Sequence, residues 1–163
     1  MEQPPEFEIE TVEREGELVV TARLSLAPDE CYRLFCDADL IFDWLWVVDT
    51  AVVQRRDERN RAVQVDFIGS LQRASIGYTL SYDYDDAQRE VRWHNVGRGV
   101  KQLVGSARFL PHPRSGCLLE YHLSSQLMAG LPPWADQLYR DRPAEAVVLD
   151  FCEFVERQSD RRA

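Results

Sequence analysis

The chain is short of the features that would narrow its function at once. Basic residues are scarce: 19 Lys and Arg stand against 28 Asp and Glu, a net charge of −9. That balance argues against a nucleic-acid partner, because phosphate binding needs clustered Lys and Arg. No apolar run approaches the roughly 18 residues needed to cross a bilayer. "EQPPEFEIE" after Met1 is acidic where the basic start of a secretory signal would stand, and no apolar segment follows it. Cysteine is present without metal or redox spacing: Cys31, Cys36, Cys117 and Cys152 make no C-x-x-C pair and no zinc-finger spacing with His94, His112 or His122. The expectation is reduced, buried thiols in a soluble cytoplasmic protein, with no metal and no cofactor. Internal repeats and low-complexity segments are also missing.

What is present is one domain's worth of patterned sequence. A length of 163 residues suits a single domain, and a hydrophobic content of 45% is enough for a sizeable core. "EFEIETVE" (6–13) alternates and can be a strand ahead of an "EGE" turn. "LVVTARLSL" (18–26) alternates more firmly, with Leu18, Val20, Ala22, Leu24 and Leu26 on one face. In "APDECYRLFCDAD", Pro28 suits the first helical position, Asp29 and Glu30 favour a helix N-terminus, and Cys31, Leu34 and Phe35 form a short apolar stripe. A second short helix or turn follows at 38–45.

From residue 46 to about 127 the pattern is one of strands joined by tight turns. "WVVDTAVVQ" ends at the charged turn "RRDERNR". "AVQVDFIG" (62–69), "RASIGYTLSYDY" (73–84), "REVRWHNV" (89–96), "VKQLVGSARFL" (100–110) and "CLLEYHLSSQL" (117–127) follow as an antiparallel meander. The closing "WADQLYRDRPAEAVVLDFCEFVERQ" carries Ala144, Val147, Val148, Phe151, Phe154 and Val155 near helical period, and Pro143 must kink that helix or start a new one. A curved sheet with one apolar face needs a cover, which only this helix is long enough to provide, and a gap between the two is a ready cavity.

This order, and the spelling "LSLAPDECYRLFCDADLIFDWLWVVDTAVV" with Pro28, Tyr32, Phe35, Asp37 and Trp44, resemble the SRPBCC superfamily. That superfamily holds the START-related lipid-transfer domains, the Bet v 1 allergens and the bacterial polyketide cyclase/dehydrase-like proteins. "VRWHNV", "GSARFLPHPRSGCLLEYHL" and "GLPPWADQL" fit its later strands and the entry to its last helix. The resemblance implies an α+β helix-grip (Bet v 1-like) fold, a curved seven-stranded antiparallel sheet around a long C-terminal helix, with two short helices after the first strand. Residues 1–17 would be a tail or an extra strand, 18–158 the domain and 159–163 a tail. It also implies binding or transport of a hydrophobic or aromatic small molecule, such as a lipid or a polyketide, in an internal cavity. The alternatives are a polyketide cyclase or dehydratase using cavity acid–base groups, and a stress-response or co-chaperone-like module that binds another protein.

Candidate residues follow from the strand faces. Tyr78, Tyr82 and Tyr121 fall on concave faces, Trp93 beside Val91, and Phe67 beside Val65. Such residues line a pocket or form an ordinary aromatic core. "LIFDWLWVVD" (40–49) places Phe42 and Trp44 where the short helices hand over to the sheet, as wall or gate, and Phe151 comes from the last helix. Asp43 and Asp49 read as solvated groups rather than a catalytic pair. His94 and His122 alternate with Trp93 and Tyr121 and so face outward, Arg73 and Arg108 read as solvated, and no catalytic residue is assigned. Leu131 and Trp134 in "LMAGLPPW" are placed to seat the last helix, to gate a cavity or to touch a membrane during ligand exchange.

Overall fold

A computed structural model of the chain describes residues 7–45, 49–71, 74–97, 102–114, 116–126 and 133–162. Its first element is a hairpin of β1 (Ile9–Arg14) and β2 (Glu17–Leu24), with Arg14 opposite Glu17. The two linking residues, Glu15 and Gly16, both have positive φ, 50° and 79°. That is the mirror-image turn whose twist matches the flanking strands. Because the turn sets β1 in full ladder with β2, the described sheet has eight strands, not the seven expected.

β2 buries every second residue, Leu18, Val20, Ala22 and Leu24. α1 (Pro28–Cys36) then starts with proline in its first turn and Asp29 and Glu30 beside it. There a missing amide costs nothing and negative charge suits the exposed N–H groups. α2 (Ile41–Trp44) is a single turn. The meander follows as β3 (Thr50–Arg56), β4 (Ala62–Leu71), β5 (Ala74–Asp85), β6 (Glu90–Val96), β7 (Gln102–Pro111) and β8 (Cys117–Gln126). β3 runs into the expected turn "RRDERNR", because Arg55 and Arg56 stay paired to Gln64 and Ala62 through two register shifts. α3 (Pro133–Arg162) is one helix that continues through Pro143.

The strand order is β1-β2-β8-β7-β6-β5-β4-β3, with every neighbouring pair antiparallel. The meander thus brings β8 back beside β2. α3 packs on β2 and β8, α1 on β7 and β8, and α2 on α3. Phe109, Leu119, Val20 and Val65 from the sheet and Val148, Phe151 and Val155 from α3 are fully buried between the layers.

One end of this sandwich is clasped by polar contacts. The Tyr32 hydroxyl on α1 donates to Asp86 at 2.9 Å. Arg61 bridges Asp57, at 2.7 Å, and Asp86, and its guanidinium lies 4.3 Å over the Tyr84 ring. The Ala38 amide donates to the Asn60 carbonyl at 3.0 Å, and Arg56 pairs with Asp39. These contacts tie α1 and the residues after it to the β3–β4 and β5–β6 turns. The Tyr32 hydrogen bond, with Arg61 beside it, holds the Asp86 carboxyl below the usual carboxylate range. Thr50, Leu71, Ala74, Val96 and Gln102 stand at the opposite end of the sheet.

Candidate functional site

The register of the sheet decides which side chains share its concave face. One row across the strands reads Tyr82, Trp93, Gly105, Leu123 and Leu18. The next row toward the clasped end reads Tyr84, Val91, Ala107, Tyr121 and Val20. On the other side of the first row stand Leu80 and Asn95, and beyond them Phe67 paired with Tyr78.

Gly105 is what lets the central row hold an indole. A Cβ at this position would sit 2.5 Å from Trp93 Cε2, Cζ2 and Nε1. The Trp93 ring therefore lies across the strand next to its own, where it meets Tyr121 at 5.3 Å and Tyr82 at 6.0 Å between centroids. Phe35 joins this group to the helical layer. Its ring lies 6.4 Å from Trp93, 5.5 Å from Phe109, 5.2 Å from Trp44 and 5.1 Å from Phe151. Trp44 and Phe151 meet at 5.0 Å. Phe67 and Tyr78 stack at 5.5 Å on their own strand pair.

Seven of the eight expected site residues thus have described surroundings, all inside the sandwich: Tyr78, Tyr82, Tyr121, Trp93, Trp44, Phe67 and Phe151. They form two groups among the described contacts, Phe67 with Tyr78 and the other five joined through Phe35. The side chain of Phe42 lies outside the described residues, as do Leu131, Arg73 and the side chain of Trp134. Asp43 and Asp49 are exposed. His94 and His122 face outward, where His122 contacts Glu17 and Glu120. Arg108 bonds the exposed Gln88 through Nη2 at 2.7 Å, while its Nε is buried without a partner among the described residues.

The polar groups of the interior are few. Tyr82 and Tyr121 keep phenols that burial pushes well above the ordinary tyrosine range, with Tyr78 and other neighbouring phenols adding to the effect. They are therefore neutral donors at any ordinary pH. Among the described residues neither hydroxyl makes a hydrogen bond. The Trp44 indole N–H is also buried without a partner among the described residues. Asn95 is half-buried on the concave face, and its Oδ1 accepts the Leu103 amide at 2.9 Å. The four thiols are free and buried. Burial holds the Cys152 thiol up to about 12, which keeps it inert.

Asn95, Phe35 and Phe109 were not among the expected site residues. Asn95 has the parity of Val91 and Trp93, so period two alone would have turned it inward. Phe109 shares the parity of Ala107 on β7. Phe35 stood in a helical stripe and in the family-like spelling, and nothing in its spacing indicates that it reaches two tryptophans.

A twisted antiparallel sheet gripping a long C-terminal helix, with two short helices between its second and third strands, is the START/Bet v 1-like fold. Solved structures carry the same architecture. A START superfamily protein from Mycobacterium smegmatis superposes with a TM-score of 0.73 at 14% identity, covering 87% of this chain and 98% of that one. The Zhui aromatase/cyclase from Streptomyces sp. R1128 gives 0.72 at 14%, covering 93% and 96%. A STAR-related lipid transfer protein from Xanthomonas axonopodis gives 0.66 at 15%, covering 96% and 97%. No family model and no curated protein matches the sequence.

Proposed function

We propose that the chain is a single helix-grip domain that binds a hydrophobic or aromatic small molecule between its sheet and α3. The observation that carries this reading is Tyr82. Its ring is on the concave face beside Trp93 and is enclosed enough for burial to raise its pKa. It is nevertheless not completely covered by neighbours, and its hydroxyl has no partner among the described residues. A ring that is surrounded yet not completely covered can border an enclosed space, and its unused donor suits a carbonyl or hydroxyl on a ligand. The Trp44 N–H adds a second unused donor around the same aromatic cluster, and the Tyr121 ring stands beside Trp93. The clasp at the α1 end directs entry to the opposite end, near Phe67, Tyr78 and Asn95. Four free, buried thiols fit a cytoplasmic setting.

The test is binding of an apolar fluorescent probe and of a panel of lipids and aromatic polyketide-like compounds, with native mass spectrometry for copurified ligand. One-to-one binding with quenched tryptophan emission is expected. Tyr82→Phe and Tyr121→Phe should each weaken a carbonyl-bearing ligand by about three- to tenfold. No binding across the panel would remove the reading.

A second reading, a cyclase or dehydratase acting on a poly-keto chain, is favoured by the same two phenols flanking Trp93. As neutral groups they would donate hydrogen bonds to a developing enolate rather than take protons. Turnover that survives both Tyr→Phe changes would remove them from that role.

A further inference from the structure

We propose that β1 is a self-association edge: two copies of the chain pair β1 to β1, antiparallel, about a two-fold axis at Val12. β1 ends the sheet on one side, and its residues from Glu10 to Arg14 are exposed. Opposite Thr21, Val19 and Glu17, the side chains of Glu10, Val12 and Arg14 share the convex face, since Leu18, Val20 and Ala22 turn to the core. Val12 is 44% exposed, an apolar residue between the charged Glu10 and Arg14 on that face.

Self-pairing about Val12 gives each of these residues a matching neighbour. Val12 faces Val12, Glu10 faces the second copy's Arg14, and Arg14 faces its Glu10. On the concave side Thr11 stands opposite Glu13. The row His122, Val19, Val12 within one copy then continues into Val12 and Val19 of the other. Shifting the register by two residues one way sets Glu13 against Glu13, and the other way sets Ile9 against Glu13. Cross-strand pairs of opposite charge are favourable, and like charges directly opposed are not. At the other sheet edge β3 keeps a regular ladder only from Thr50 to Val53, where Val52 is 49% exposed, and register shifts between Val53 and Arg56 break the rest. A two-fold axis also closes the assembly at two copies, whereas pairing β1 to β3 would run on without end.

Sedimentation equilibrium of the full chain tests this. A concentration-dependent monomer–dimer equilibrium is expected at protein concentrations up to about 1 mM, the weak end of specific association. Val12→Lys, which opposes two ammonium groups on the axis, should leave monomer. Glu10→Arg and Arg14→Glu should each weaken the dimer by about tenfold, since every change counts twice across the axis. The double change E10R/R14E restores the pairing with signs reversed and should recover affinity to within about threefold. Circular dichroism of each variant checks that the fold is intact. A chain that stays monomeric throughout, a dimer indifferent to Val12→Lys, or a double variant no tighter than the single ones would each overturn the proposal.

Discussion

Gly105→Ala is the substitution whose effect follows most directly from the geometry. The backbone at Gly105 does not lie in the left-handed region, so alanine is conformationally allowed there. In the interior of a strand it would ordinarily gain roughly 0.5–1 kcal/mol over glycine. The obstacle is Trp93, whose indole atoms would stand 2.5 Å from the new methyl group. Relief requires the ring to tilt away from β7, which loosens its contacts with Tyr121, Tyr82 and Phe35. Overpacking of this kind costs about 1–3 kcal/mol. With a urea slope of about 2 kcal/mol/M, the midpoint of unfolding should fall by about 0.5–1.5 M. Trp93→Ala should itself cost about 3–5 kcal/mol. In that background the clash is gone, and adding Gly105→Ala should become neutral or stabilising. Urea denaturation of the four chains in this double-mutant cycle measures the change of sign. An equal loss in both backgrounds, or no loss in either, would refute the idea that glycine is present to admit the indole.

Phe151→Ala removes a fully buried ring that touches Phe35, Trp44 and Phe109; a loss of about 3–5 kcal/mol is expected in the same denaturation assay. Tyr32→Phe breaks the bond to Asp86 across the clasp, so it should cost about 1 kcal/mol and raise the Asp86 pKa, read by NMR titration. His122 loses basicity through burial, but the hydrogen bonds its ring donates to Glu120 and Glu17 outweigh that and raise its pKa above 6.5. Its contribution to stability is therefore complete below the unfolded value and fades as pH rises through the folded one. The stability gap between the native chain and His122→Gln should be larger at pH 6 than at pH 9, and a constant gap would count against the ion-paired histidine.

Period-two alternation carried most of this fold in the sequence itself. Leu18, Val20, Ala22 and Leu24, or Tyr82 and Tyr84 with Trp93 and Val91 across from them, sit as their spacing requires, because one slip would expose a whole face. The edge strand was harder to read. "EFEIETVE" has few apolar residues, and its pairing depends on the Glu15-Gly16 turn rather than on burial. The end of β3 was obscured for a related reason: bulges let Arg55 and Arg56 remain in the ladder although charge clusters usually mark turns. Strand parity placed the phenols and Trp93 on the concave face, where they lie. The approach of Trp93 to Gly105, and of Phe35 to both tryptophans, depends on how layers meet in space. Spacing along a chain does not encode such meetings.

The placement of β8 between β2 and β7 also orders events in time. From β4 to β8 each strand pairs with the one just before it, but Leu18 must find Leu123, about a hundred residues later. Closing so distant a pair is the slow kind of step in folding. On a ribosome the first hairpin would emerge early and wait, its apolar Leu18–Leu24 face uncovered, until the last strand and α3 arrived together. A chaperone that recognises extended apolar segments would find its target there, in the unfinished chain.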